Sequence, residues 1–381
     1  MSSPPESRDD DGLSGCAHAA LRVERLFLRG FRNLARLDFE PGPRFNVVHG
    51  DNGAGKSNLL EAIHYMGALR SFRGAKTEDI VRLDEPNAVL RARVGGELAP
   101  RTYTVGLERG KARKLQLDDK RPRSLAAWHG TFPMVLFHPG DVELAGGSPE
   151  LRRAFLDRML EQLDPAYGSA LATYTKALRS RNRLLKQDPI DPRSVRSYDA
   201  ILADAGAVIG RARASLVTSL APRVAQAFHD VAGVELPLDV SYRPRVAPER
   251  ETLLRTLEQA FEKDCARGFT ADGPHADDLA LTVRAIAAKH HASQGQQRAI
   301  VLALKVAELD ELSARTGKVP VLLLDDVSSE LDRGRNRRLF ELLSRLGGQV
   351  FLSTTHPEFI LLEEHRRDFH VARGVVTPSG G

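Results

Sequence analysis

The chain has 381 residues, room for two or three domains, and its 42% hydrophobic and 28% charged residues describe a soluble globular protein. No apolar run approaches the roughly 18 residues of a membrane span, no cationic and apolar leader opens the chain, and two cysteines, Cys16 and Cys265, exclude a disulfide framework or a cysteine-rich metal site; the expectation is a cytoplasmic protein with no membrane partner. The net charge is +5, but four acidic residues against one arginine in the first twelve leave −3 there and +8 elsewhere, a basic body that suits a polyanionic partner and equally an ordinary basic enzyme.

Residues 1–20 are rich in Ser, Pro, Asp and Gly and are expected to stay disordered. Val23, Leu26 and Leu28, then Leu37 and Phe39, predict short strands. Phe45, Val47 and Val48 predict another, which runs straight into a glycine-rich loop, and a helix follows with Leu59, Leu60, Ile63 and Met66 on one face. Residues 88–117 alternate like antiparallel strands broken at Gly95-Gly96 and Gly110, and Met134 to Phe137 is a further apolar strand. Ser148-Pro149-Glu150 is a helix start, a hydroxyl cap followed by a proline whose missing N–H costs nothing there. Asp164-Pro165 starts a second helix through residue 187, and residues 194–231 predict a third, long one. After Gly273 the reading is a helix from Gln294 to Leu312, a buried strand from Val319 to Leu324, a helix from Arg333 to Leu346 and a buried strand from Gln349 to Ser353. Continuous apolar strands alternating with helices argue for a parallel sheet covered on both faces. The predicted organisation is therefore a disordered extension over 1–20, a first α/β part over 21–148, a helical arm over 149–272, a second α/β part over 273–375 and a flexible tail over 376–381.

Gly50-Asp51-Asn52-Gly53-Ala54-Gly55-Lys56-Ser57 fits G-x-x-x-x-G-K-[ST], with a strand before it and a helix after it. Small residues let backbone N–H groups surround phosphates, and the helix N-terminus at Asn58 adds partial positive charge. Lys56 is expected to reach the β- and γ-phosphates of ATP, and Ser57 to hold Mg²⁺. Val321-Leu322-Leu323-Leu324 would deliver Asp325 to the metal at a strand end and Asp326 to the attacking water. These motifs alone specify a P-loop nucleotide hydrolase.

Three further segments narrow it. Ser293-Gln294-Gly295-Gln296-Gln297 resembles the signature loop of ATP-binding-cassette (ABC) ATPases, Ser329-Glu330-Leu331-Asp332 their D-loop, and Thr354-Thr355-His356 their switch loop, where His356 would sense the γ-phosphate. Phe31-Arg32-Asn33, Ser71-Phe72-Arg73, Gly147-Ser148-Pro149, Arg152 to Asp157, Arg181 to Lys186, Gly273-Pro274-His275, the Ser293-to-Arg298 string and the Asp325-Asp326 pair are together similar to the bacterial RecF family across residues 21–372. The resemblance implies an α/β fold, a P-loop NTPase head of the ABC type like those of Rad50 and SMC proteins, with a mixed sheet, an antiparallel β lobe and an inserted helical domain. It implies ATP-dependent homodimerisation, weak DNA-stimulated ATP hydrolysis, binding to gapped or single-strand/double-strand junction DNA, and cooperation with RecR and RecO in loading RecA. It also places Arg32 and Asn33 near the nucleotide.

The sequence departs from the family at Ala276, where an arginine is expected, and at His291, where an apolar or aromatic residue is usual, a change expected to loosen packing under the signature loop. Phe137-His138-Pro139-Gly140-Asp141 stands where a glutamine loop would be and receives no catalytic role. DNA contact is expected at phosphates, hence salt-sensitive. The candidates are Arg109, Lys111, Arg113, Lys114, Lys120, Arg121 and Arg123 on the antiparallel lobe, and Arg179, Arg181, Arg183 and Lys186 on the arm; for each residue singly a solvated basic face is the plainer reading. An SMC/Rad50-like structural head and an ABC transporter nucleotide-binding subunit are the alternatives, disfavoured by the short insertion and by the double aspartate. Asp326 is one methylene shorter than the usual glutamate, which also admits a clamp with nearly silent turnover.

Overall fold

The structure is a computed structural model and describes residues 18–232, 236–326, 333–345 and 347–379. The segment Ser329 to Asp332 lies outside the described residues.

The first strand, β1 (Ala19–Phe31), is long, and Ala19 and Ala20, assigned above to a disordered extension, belong to it. It pairs antiparallel with β2 (Leu34–Phe39) and with β4 (Asn87–Gly96), which continues into β5 (Arg101–Glu108) and β6 (Lys114–Leu117); β3 (Phe45–His49) leaves this lobe for a second sheet. One face of the lobe is apolar. Leu26, Leu28, Leu90, Ala92, Tyr103 and Val105 bury it against Leu59, Leu60, Ile63 and Met66 of the helix Lys56–Ala68. Period-2 alternation thus meets period-3.6 alternation in a single core.

The second sheet uses β7 (Met134–Phe137) and, after the arm, β12 (Val321–Asp325), β13 (Val350–Thr354), β14 (Arg366–Ala372) and β15 (Val375–Pro378). Its order is β15-β14-β3-β13-β12-β7, parallel throughout except the β14–β15 pair. Val321 and Leu323 face the helix Lys56–Ala68, while Leu322 and Leu324 face the helix Gln294–Thr316. Covering both faces explains the unbroken apolar runs. The strand expected from Val319 to Leu324 is divided at Pro320, which cannot donate to a ladder. Lys318–Val319 (β11) pairs with the start of β1, and β12 begins after the proline. The segment read as a flexible tail forms β15 as far as Pro378.

The arm packs helices Pro149–Leu163, Pro165–Leu184, Asp199–Ala232 and Arg250–Arg267 with a small antiparallel sheet of β8 (Leu238–Arg243), β9 (Asp278–Val283) and β10 (Ile286–Ala287); the last two strands, expected above in the second α/β part, join the arm's β8 instead. The stretch expected as one helix from 194 breaks at Ser197-Tyr198, between a short helix Pro192–Arg196 and the long one. The long helix lies against the helix Gln294–Thr316, so arm residues such as Leu216 and Leu220 share a core with Leu302 and Leu309. Among the described residues no helix is long and apolar enough to cross a membrane.

Candidate nucleotide site and basic surfaces

The C-terminal ends of β3, β13 and β12 are adjacent, and each carries one of the sequence motifs. The loop after β3 is shaped by glycines in backbone conformations that L-residues avoid. Gly50 has φ 147° and an added Cβ would lie 2.2 Å from the Val371 carbonyl oxygen; Gly55 has φ 122° and its Cβ would meet Asn33 Oδ1 at 2.9 Å. No side chain caps the helix that follows, so its first N–H groups face the loop. Lys56 is buried and its Nζ donates to the carbonyls of Gly50 (2.7 Å) and Asp51 (3.0 Å). Burial lowers its pKa, against the pull of Asp326, Asp325 and Asp51. Asp51, Asn52 and Gly53 are exposed at the tip, whereas Ala54 and Gly55 are buried and Ser57 and Asn58 half-buried.

Asn33 braces this loop from the β1–β2 turn. Its Nδ2 donates to the Ala54 carbonyl at 3.0 Å, and its Oδ1 accepts from Asn58 Nδ2 at 2.8 Å. Gly374 donates its N–H to the same Ala54 carbonyl at 2.8 Å. Arg32, at φ 54°, turns the other way. Its Nε and Nη2 form a fork on Glu61 (2.9 and 2.8 Å) and its Nη1 reaches the Asp79 carbonyl at 2.9 Å. Glu61 is fully buried in the middle of the P-loop helix and also accepts from Ser71 Oγ. The guanidinium therefore fixes that helix, and its geometry toward the loop is indirect.

Asp325 is buried at the end of β12, where Ser353 Oγ on β13 donates to its Oδ1 at 2.7 Å. The same hydroxyl accepts the Asp326 N–H at 3.0 Å, and Asp326 adopts φ 50°, a conformation of non-glycine residues held by its surroundings. Ser353 thus holds the Asp325 carboxylate and the Asp326 backbone. Sequence reasoning assigned it no role, although a hydroxyl at the end of the apolar run Phe351-Leu352 was the available signal. His356 follows on the loop after β13; it is exposed, and its Nδ1 sits 3.0 Å from Glu358 Oε1.

Ser293 starts the helix Gln294–Thr316 with a reciprocal capping box: its Oγ accepts from the Gln296 N–H at 3.2 Å, and Gln296 Oε1 accepts from the Ser293 N–H at 2.9 Å. Ser293 and Gln294 are exposed and Gly295 is half-buried. His291 is exposed as well, and Ala288 is the buried residue of that turn, so the expected loosening of packing is not what the structure shows. At the Ala276 departure, His275 is held between Tyr174 Oη (2.6 Å) and the Thr270 carbonyl (3.0 Å).

The basic candidates divide sharply. Lys111, Lys114, Lys120, Arg121, Arg123, Arg179, Arg183 and Lys186 are exposed. Arg179, Arg183 and Lys186 line one shallow groove on the helix Pro165–Leu184 and the turn after it. Three of the expected contacts are corrected. Arg181 is fully buried, with its guanidinium on Asp199 (2.9 Å), Asp264 (2.7 Å) and Thr270 (2.7 Å). Arg109 donates to the carbonyls of Val81 (2.7 Å) and Arg82 (3.0 Å) and so closes the 78–85 loop. Arg113 donates to the Leu69 carbonyl at the C-terminus of the P-loop helix.

Comparison with known proteins follows the same lines. The family model for the RecF/RecN/SMC N terminal domain matches residues 22–373. The chain is 40% identical over 349 residues to the DNA replication and repair protein RecF of Anaeromyxobacter sp. (strain Fw109-5), covering 89% of this chain and 94% of that one. It is 36% identical over 367 residues to the protein of the same name from Geobacter sulfurreducens, covering 94% and 100%. Among solved structures it is similar to the recombination mediator protein RecF of the RecFOR pathway in its RecF-ATP form, with TM-score 0.87 and 30% identity over 96% of this chain and 99% of that one. The Smc head domain of Pyrococcus furiosus shares the fold, with TM-score 0.55 at 14% identity over 94% of this chain and 96% of that one.

Proposed function

Because the chain belongs to the RecF family, we propose that it is an ATP-dependent recombination mediator of DNA repair. In this reading its ATP-bound form is a head-to-tail homodimer on gapped or junction DNA, where it helps RecR and RecO load RecA. The observation that carries this reading is the convergence of three motifs on neighbouring strand ends: Gly50 to Ser57 after β3, Thr354 to His356 after β13, and Asp325-Asp326 after β12. The relatives named for DNA replication and repair and the RecF-ATP structure support it.

Each monomer grips the triphosphate with the N–H groups of the Gly50–Ser57 loop and with Lys56, which exchanges its two loop carbonyls for phosphate oxygens. Asp326 orients the attacking water and His356 contacts the γ-phosphate. The Ser57 hydroxyl and the Asp325 carboxylate are hard oxygen donors and fit Mg²⁺, which binds through few protein ligands and keeps several waters. The ion supplies charge neutralisation on the phosphates when bound. Ser293, exposed at a helix N-terminus, caps the γ-phosphate held by a second copy. Nucleotide binding then becomes dimer stability by mass action. Hydrolysis removes the shared γ-phosphate and opens the clamp. With Asp326 in place of a longer carboxylate, turnover is slow and rises with DNA.

Sedimentation with ATP, with ADP and without nucleotide, each with and without gapped DNA, tests the scheme. ATP alone is expected to give the dimer, and DNA to be retained by that dimer. Equal pairing with ADP and ATP, or pairing left intact by Ser293→Arg, overturns it.

A further inference from the structure

The loop 137–141, left without a role by the sequence, runs from the nucleotide sheet to the signature helix. Phe137 is the Cα partner of Leu324 in the parallel β7–β12 pair, so His138 leaves the sheet beside Asp325. The loop then closes on itself. Asp141 Oδ2 accepts the His138 N–H at 2.9 Å, and the Asp141 N–H returns to the His138 carbonyl at 2.9 Å. Asp141 next meets the helix Gln294–Thr316: Lys305 Nζ lies 3.6 Å from its Oδ2 and 3.3 Å from Glu308 Oε2. All three side chains are buried, at 5% exposure or less. Burial raises the pKa of Glu308. The same segment touches the helix again near its start, where an added Cβ at Gly146 would lie 3.4 Å from Gln297 Nε2. Lys305 Nζ also sits 5.4 Å from the Phe155 ring on the first arm helix.

We propose that Lys305, bound to Asp141 and Glu308, is a positioning residue that keeps the Ser293-bearing helix in register with the strand end carrying Asp325. The nucleotide state of one site is thereby passed to the lid that the same chain offers its twin. This consequence rests on the dimer reading above; the register itself does not. Two observations favour the role over plain stability. Replacing a buried ion cluster by apolar or neutral groups of equal size is often neutral or stabilising, so such a cluster is weakly justified by stability alone. The triad also forms part of the wall of a cavity of about 270 Å³ lined by Phe72, His138 and Arg158. The segment already packs Phe137, Leu144 and Ala145 in one core with Leu302 of the helix, so holding the two together does not by itself call for buried charges.

The test uses the full chain carrying Lys305→Met, Asp141→Asn and Glu308→Gln together, a near-isosteric replacement that leaves no buried charge, with Lys305→Arg as the conservative control. In the nucleotide-free protein, amide hydrogen exchange should speed up about tenfold or more in residues 138–147 and 294–300 and stay unchanged in the P-loop helix. For ATP hydrolysis, kcat should fall about tenfold with KM unchanged, and Lys305→Arg should restore most of it. Unchanged exchange in the folded triple variant overturns the proposal, and so does faster exchange spread evenly over the chain. A loss carried by KM rather than kcat does so as well. If the unaltered protein neither pairs nor hydrolyses ATP, the dimer reading fails by itself, and exchange still decides whether Lys305 sets the register.

Discussion

The Ser353 hydroxyl donates to Asp325 Oδ1 at 2.7 Å and accepts the backbone N–H of Asp326 at 3.0 Å. One side chain on β13 therefore orients the Asp325 carboxylate and ties down the backbone of Asp326 at the end of its neighbour β12. Removing such an outer partner of a metal-binding carboxylate typically lowers metal affinity or activity about 10–100-fold. Ser353→Ala is accordingly expected to raise the Mg²⁺ concentration needed for half-maximal ATP hydrolysis by at least about tenfold, while Ser353→Thr, which keeps the hydroxyl, preserves it. A Mg²⁺ titration of the two variants checks this, and an unchanged midpoint in Ser353→Ala refutes it.

Arg32 and Asn33 are neighbours in sequence with different expected phenotypes. Arg32 neutralises Glu61, whose side chain is completely buried. Arg32→Ala strands that carboxylate and should lower stability by about 3–5 kcal/mol. Combining Arg32→Met with Glu61→Met should recover most of the loss. Asn33→Ala removes a brace from the Ala54 carbonyl, which Gly374 still satisfies. Its stability loss should be about 1 kcal/mol, with a clear drop in nucleotide affinity. Urea unfolding and fluorescent-nucleotide titration of the same variants separate the two; strong destabilisation by Asn33→Ala would reverse the assignment.

The arm's arginines divide in the same manner. Arg181→Ala leaves Asp199 and Asp264 buried without their cation and should destabilise by about 3–5 kcal/mol, so any loss of DNA binding it causes follows unfolding. Changing Arg179, Arg183 and Lys186 together to Gln should leave stability within about 0.5 kcal/mol. It should also reduce the slope of log K against log salt by up to about 0.9 for each phosphate that is no longer neutralised. Thermal melts and DNA binding across a salt series distinguish these outcomes. An unaltered slope removes this groove from the DNA path.

Acid should unfold the protein through its buried histidines. His64, on the P-loop helix, is kept neutral mainly by burial, with its pKa lowered to about 3, while its Nδ1–H donates to the Arg70 carbonyl at 3.2 Å. Burial lowers the pKa of His138, His129 and His275 in the same direction. The unfolded chain binds these protons near pH 6.5 and the folded chain does not. Stability from this source is complete above about pH 6.5 and declines as pH falls toward the folded value, by up to about 1.4 kcal/mol per pH unit for each fully excluded proton. Urea midpoints measured from pH 7.5 to pH 5 should fall, and His64→Gln should flatten the fall. A variant with the slope of the unaltered protein would show that His64 does not contribute.

The phosphate loop, the acidic strand end, the signature helix start and the switch loop were all legible in the residue order. Each is a local device: a glycine turn, an apolar strand ending in a carboxylate, a capping box. Local devices depend on spacing along the chain, which is what a sequence records. The strand break at Pro320 had its signal in the residues too, since proline cannot donate to a ladder, but the expected strand ran through it.

The roles of the cations were decided elsewhere. Arg179, Arg181 and Arg183 alternate along one basic run, yet Arg181 meets Asp264, 83 residues away, and is hidden from solvent, while its neighbours remain exposed. Arg109 and Arg113 were drawn inward by carbonyls of a loop and of a helix end. Lys305 meets Asp141 where the helix Gln294–Thr316 packs on the loop after β7. Charge and spacing establish that a side chain is cationic, but which buried carboxylate or orphan carbonyl it must satisfy is a property of distant segments brought together. Burial makes that satisfaction obligatory, and so the tertiary structure alone separated scaffold arginines from those left free to meet a phosphate.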